Sequence, residues 1–209
     1  MSTAAKSDRR VARGDATRNQ ILEAARHVLA ADGYGGTSTR AVAERAGVQL
    51  SLVHYHFGGK RGLLAAVLEY ENERLIGRQR ELFAKEEPLA DKWRTACAYL
   101  QEDLRSGYVR ILWELWAAGL TDEDLAKRWR DALASWRLLL EEVAAQWAAS
   151  VGLELPMPPR ALATLVANVF QGAEVEILAG VSEEEAPHYE ALEAVGGLIE
   201  RLEAGARPR

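Results

Sequence analysis

Residues 39–59 read TRAVAERAGVQLSLVHYHFGG, and the fold turns on this stretch. Two helices of about eight residues that meet at about 90–120° make three demands: a small residue where the backbones cross, a residue able to adopt φ > 0 at the turn, and apolar side chains that hold both helices to a third. Ala43 meets the first, Gly47 the second, and Val42, Ala46, Val48 and Val53 the third. The spacing of Ala43, Gly47 and Val53 is that of a helix-turn-helix, which a plain αα corner can share. It predicts one helix from Ser38, a good N-cap, through Ala46, and a second over 49–56.

Upstream, Ile21, Leu22, Ala25, Val28 and Leu29 recur at i, i+1, i+4, i+7 and i+8, the apolar stripe of an amphipathic helix. That helix is expected over 15–32, with Gly33 as its C-cap. Residues 1–14 are polar and basic (Lys6, Arg9, Arg10, Arg13) and are expected as a mobile arm. Downstream, a long helix is predicted from Lys60 toward Ala84, and further helices near 89–105, 108–118, 121–150, 159–180 and 184–204. No segment alternates with period 2, so the expected fold class is all-α. The expected organisation is an arm (1–14), a helix-turn-helix domain (15–64) and a helical domain (65–209).

Composition narrows the function classes. A chain of 209 residues with 48% apolar content can bury a core without metals or disulfides, and one Cys, Cys97, suits a reducing compartment. The first residues carry no apolar core of a signal peptide and no uninterrupted apolar run of about 18 residues follows, so a cytoplasmic protein without a membrane partner is expected. The net charge of −5 is unevenly spread. Residues 1–64 hold 10 Lys and Arg against 5 Asp and Glu, whereas residues 65–209 hold 16 against 26. A basic end on an acidic body directs one end toward polyanions and keeps the other away.

Catalytic and metal chemistry find little support. His54 and His56, two apart on a helix, point about 200° apart and cannot chelate one ion as an i, i+4 pair can. No nucleophile elbow or glycine-rich phosphate loop of recognised spacing occurs. An all-α enzyme would need Glu114, Cys97 or Glu174 as base or nucleophile, with no spacing to support one. A helical interaction module that never touches DNA is a second alternative, opposed by the basic end and the turn. Neither enzymatic activity nor a cofactor is expected.

The run from TRNQILEAARHVLAADGYGGTSTRAVAERAGV through HYHFGGKRGLL resembles the DNA-binding domain of TetR-type transcriptional repressors over about residues 15–64. The resemblance rests on the GYGGTS exit from the first helix, the AERAGV turn and the aromatic HYHFGGK run, each at the family's spacing from the others. It implies that 39–46 position the domain and 49–56 form the recognition helix. Ser38 and Arg40 then fall where phosphate or groove-edge contacts are made. Gln49, Leu50, Ser51 and Leu52 fall where base edges are read, Gln49 able to pair with adenine and the leucines able to meet thymine methyls. Tyr55 and Lys60 fall where phosphates are held. Gln49 stands where a Ser cap is common in the family and His54 where a Tyr is common, which leaves open whether His54 reaches phosphate through its imidazole.

Beyond residue 64 the residues themselves offer candidates for a ligand. All six tryptophans lie between 93 and 147, among them Trp93, Trp113, Trp116 and Trp136, enough aromatic surface to line a cavity as well as fill a core. Thr164, Asn168 and Gln171 form a polar stripe at i, i+4, i+7 on an apolar helix, which either faces water or orients a ligand. Glu114 could meet a cationic ligand or pair with Arg110. The last two predicted helices carry small residues (Ala163, Ala167, Gly172, Gly196) that permit close helix approach, and the resemblance implies that they pack against a second copy. The expected function is a dimeric transcriptional regulator, a repressor that binds a palindromic operator and is released by a small hydrophobic or aromatic effector.

Overall fold

The computed structural model describes the backbone of residues 3–206 and the side chains of residues 12–205. Among the described residues the elements are helices: α1 Thr3–Gly36, α2 Thr39–Ala46, α3 Leu50–Phe57, α4 Lys60–Phe83, α5 Leu89–Arg105, α6 Tyr108–Gly119, α7 Glu123–Val151, α8 Pro159–Leu178 and α9 His188–Ala206. The fold is all-α, as the periodicity predicts. Three boundaries depart from expectation, one of them the end of α1, which kinks at Gly33 and runs on to Gly36 instead of stopping at 32. Helix α1 begins at Thr3, where an arm was expected; the rest of that arm, residues 1 and 2, lies outside the described residues. No proline interrupts residues 3–32, and the cost of Gly14, about 1 kcal/mol, is offset by the Ala and Arg helix formers around it. Helix α9 begins at His188 rather than near 184. Ser182 and Glu185 close a turn of their own, the Ser182 N–H and hydroxyl both donating to the Glu185 carboxylate at 3.0 and 2.9 Å, and Pro187 then precedes the helix.

The chain forms two compact units, to both of which α4, α6 and α7 contribute. The first takes in the chain up to Glu71 together with Ile111–Trp129, so it is larger than the 15–64 domain expected. Its core joins Ile21, Leu22, Ala25, Val28 and Leu29 of α1 to Val42, Ala43 and Ala46 of α2, Val53 and Phe57 of α3, and Leu63, Leu64, Val67 and Leu68 of α4. Ile111 and Leu115 of α6, essentially fully buried, complete it. Each large aliphatic side chain buried there contributes about 1.5–3 kcal/mol. Glu71 is buried against Arg26, whose Nε lies 2.9 Å from its carboxylate, and the Tyr70 hydroxyl donates to Glu23 at 2.7 Å, so α1 and α4 are also joined by polar ties.

The second unit takes in Asn72–Arg110 and Arg130–Arg209. Trp93 and Leu100 of α5 pack there with Phe170 of α8 and Leu192 of α9. The Trp93 indole donates to the Leu192 carbonyl at 2.7 Å, and a Cβ at Gly196 would stand only 3.1 Å from the Trp93 ring, so glycine lets α9 approach α5. Glu203 closes the far end, accepting from the Leu89 N–H at 2.7 Å and the Trp147 indole at 3.1 Å. Burial pushes the Cys97 thiol up to about 11, which leaves it protonated and a poor nucleophile near neutral pH.

Helix α8 turns Ala163, Ala167, Phe170 and Ala173 inward, yet Leu165, Val169, Val175 and Leu178 stay exposed, as do Leu198 and Leu202 of α9. By length and composition Pro159–Leu178 could cross a membrane, with a mean hydropathy of 1.3. Its inward face packs with α5, α7 and α9, and its other face is apolar and exposed.

Candidate nucleic-acid interface

The corner between α2 and α3 is fixed by two local caps and one bond from α1. The Ser38 backbone is extended and its hydroxyl accepts the Ala41 N–H at 3.1 Å, starting α2. Gly47, at φ 63°, ends the helix in the left-handed region, and the Val48 N–H returns to the Ala43 carbonyl at 3.0 Å. From α1, the Gln20 side-chain amide donates to the Ala46 carbonyl at 2.7 Å and satisfies another terminal acceptor.

Helix α3 then divides into two faces. Val53 and Phe57 are buried, whereas Gln49, Leu50, Ser51, Leu52, His54 and Tyr55 are exposed, Tyr55 at 79%. Gln49 occupies the N-cap position, but its side chain makes no capping hydrogen bond, so its amide is not committed to the helix. Leu50 and Leu52 hold apolar surface in water at 40% and 37% exposure. Gly58 at φ 73° ends α3, and α4 begins two residues later. A Cβ at Gly62 would fall 2.0 Å from the Phe57 carbonyl oxygen, so only glycine lets the first turn of α4 pass the end of α3.

The remaining predicted DNA contacts differ in how far they are already engaged. Arg40 is exposed on α2, and Ser38 is exposed with its hydroxyl oxygen accepting a cap bond. Lys60 is half-buried: its ammonium donates to the Tyr34 carbonyl at 2.8 Å and stands 4.8 Å from the centre of the Tyr34 ring. One of its three donors is thus spent within the protein.

The predicted ligand residues are divided between the units. In the first, Trp113 packs edge-on to Trp116 at 5.3 Å and tilted against Trp129 at 6.0 Å, with Trp116 partly exposed. Glu114, between the two, accepts the Tyr34 backbone N–H. In the second, Trp93 lies in the core, and Trp136 packs beside Leu140, Ala163 and Ala167. Asn168 and Thr164 face outward beside Leu165 and Val169, and Gln171 sits half-buried at the edge of that stripe.

Residue patterns alone did not reveal Tyr34, Gly62 or Asp122. Asp122 accepts the N–H groups of Asp124 and Leu125 at 3.0 and 3.2 Å and pairs with Arg61 at 2.8 Å. Desolvation draws its carboxyl upward, but the Leu125 N–H and the Arg61 guanidinium outweigh it and hold the group below its ordinary value. Its position just before Glu123 is an N-cap signal that was available in the sequence.

Residues 21–67 match the family described as bacterial regulatory proteins, tetR family, a span that runs from α1 into α4. Over 65 residues the chain is 31% identical to the HTH-type transcriptional regulator UidR of Escherichia coli (strain K12), which covers 31% of this chain and 33% of UidR. The chain therefore matches about one third of that relative's length. A TetR transcription regulator from Haloarcula marismortui superimposes with a TM-score of 0.73 at 18% identity, covering 88% of this chain and 96% of that one. The transcriptional regulator FadR from Bacillus subtilis, solved in complex with stearoyl-CoA, does so with a TM-score of 0.68 at 15% identity, covering 86% and 96%. Residues 21–67 of this chain thus match the tetR family of bacterial regulatory proteins, and the chain as a whole has the all-helical fold of these solved regulators.

Proposed function

We propose that the protein is a dimeric, ligand-responsive transcriptional repressor that reads a palindromic operator through α3. The observation that carries this function is the outward face of α3: Gln49, Leu50, Ser51, Leu52, His54 and Tyr55 stand in solvent while Val53 and Phe57 fasten the helix from behind. A helix so anchored presents its first residues to base edges in a major groove, with Gln49 suited to adenine and the leucines to thymine methyls. Ser38, Arg40, Tyr55 and the two remaining Lys60 donors serve the phosphates and set the register.

The outer side of α8 and α9 supports dimerisation. Leu165, Val169, Leu198 and Leu202 are exposed there, and pairing with a second copy as a four-helix bundle removes that surface from water. A two-fold dimer in turn presents two copies of α3 to the two halves of a palindrome. The effector class rests on the aromatic cluster of Trp113, Trp116 and Trp129, which favours a hydrophobic or aromatic molecule, and the acyl ligand held by the FadR structure is in keeping with that class. Such an effector lowers operator affinity by as much as it prefers the state that cannot bind DNA.

The test is selection of duplexes by the full-length chain from a random pool, followed by footprinting. A palindromic consensus protected symmetrically supports the function, and a pool that remains random after repeated rounds contradicts it.

A further inference from the structure

We propose that Glu114, Tyr34 and Lys60 form a clamp that sets the DNA-reading pose of α2 and α3, with Glu114 acting as a positioning residue from outside the helix-turn-helix; this rests on the DNA-binding function proposed above. Gly33, at φ 68° and ψ −179°, breaks α1 one turn before its end. The peptide that follows leaves the helical hydrogen-bond ladder, and the Tyr34 N–H becomes an orphan donor at a half-buried position. The Glu114 carboxylate, 80 residues further along the chain on α6, accepts it. A carboxylate is a stronger acceptor than a neutral group, so this bond holds the broken turn firmly.

The same residue is gripped from its other side. Lys60, the first residue of α4, donates to the Tyr34 carbonyl at 2.8 Å and lies over the Tyr34 ring. The Gly33 carbonyl accepts from both the Thr37 N–H at 3.1 Å and the buried Thr37 hydroxyl at 2.7 Å, and Ser38 then caps α2. The backbone is therefore held at Tyr34 by α6 and α4, and at Gly33 and Thr37 by its own turn. Arg61, beside Lys60, adds a second tie from α4 to Asp122, the cap of α7. The start of α2 carries Ser38 and Arg40, so a displaced Tyr34 moves the residues that register the domain on phosphate.

The experiment compares wild type, Glu114→Ala, Glu114→Gln and Lys60→Met as full-length chains, on the palindrome enriched by wild type and on a random duplex of equal length. Amide exchange at Tyr34 is followed by NMR in the free proteins. Glu114→Ala is expected to lower the ratio of operator to random affinity about tenfold and to speed Tyr34 exchange. Glu114→Gln, whose amide oxygen can still accept the Tyr34 N–H, is expected to keep both within about twofold. Lys60→Met cuts the other side of the clamp; because it also removes a phosphate contact, both affinities are expected to fall, and the clamp is read from a further fall in the ratio together with faster Tyr34 exchange, which keeps the test decisive should Glu114→Ala fail to fold. A ratio unchanged in Glu114→Ala, an equal loss on both duplexes, or a Gln variant as impaired as the Ala variant overturns the clamp alone. A wild-type chain that enriches no duplex overturns the DNA-binding function, and the clamp's role in it, together.

Discussion

In the proposed function, Gln49 and Arg40 serve DNA binding in two separable ways. Gln49 makes no capping bond and is exposed at the start of α3, so its amide is available to a base edge. Gln49→Ala is expected to cost about 1–3 kcal/mol at one position of each half-site and to relax base preference there, as binding to single-base operator variants will report. Equal losses on every variant would assign Gln49 to the backbone instead. Arg40→Ala is expected to weaken binding to all duplexes alike and to reduce the slope of log K against log salt by about one per contact. At this scale the sequence was legible wherever a requirement is local. Gly47 adopts positive φ, and Ser38 caps its own helix three residues on. Lys60 was less so: its residue type and place suit a phosphate, but its bond to Tyr34 joins residues 26 apart, a separation that no local pattern encodes. Glu114 likewise invited a ligand or an Arg110 pairing, because its backbone partner on α1 could be recognised only once α6 had packed.

Among the elements, α8 carries the most consequential exposed surface. Leu165 and Val169, one turn apart on its outer side, are 52% and 44% exposed. Placing a charge at the centre of a helix pair buries an unpaired ion, so Val169→Glu is expected to turn a dimer into monomers in sedimentation velocity while the helical circular-dichroism signal is retained. A Val169→Glu chain that remains dimeric would move the interface elsewhere. Helix identity and approximate length were readable from period 3.6 throughout, and the misplaced ends have local causes. Alanine and arginine side chains suit a helix as well as a solvated arm, so composition could not decide the start of α1, and the Ser182 turn postponed α9 to His188.

For the whole molecule, the all-α class and the basic first third followed from pattern and charge, but the extent of the first unit did not. Ile111–Trp129 joins that unit because Ile111 and Leu115 fill its core, and packing across so long a separation leaves no mark on periodicity. In the proposed function two copies of this chain present α3 to the two halves of one palindrome. The most direct test of that function is a fluorescence-anisotropy titration of the full-length chain at about 150 mM salt against the selected palindrome and a scrambled duplex of the same composition, with stoichiometry read from the saturation point. Two chains per duplex are expected, with an affinity for the palindrome about 10³-fold or more above that for the scrambled sequence. Equal affinity for the two duplexes, or saturation at one chain per palindrome, would contradict it.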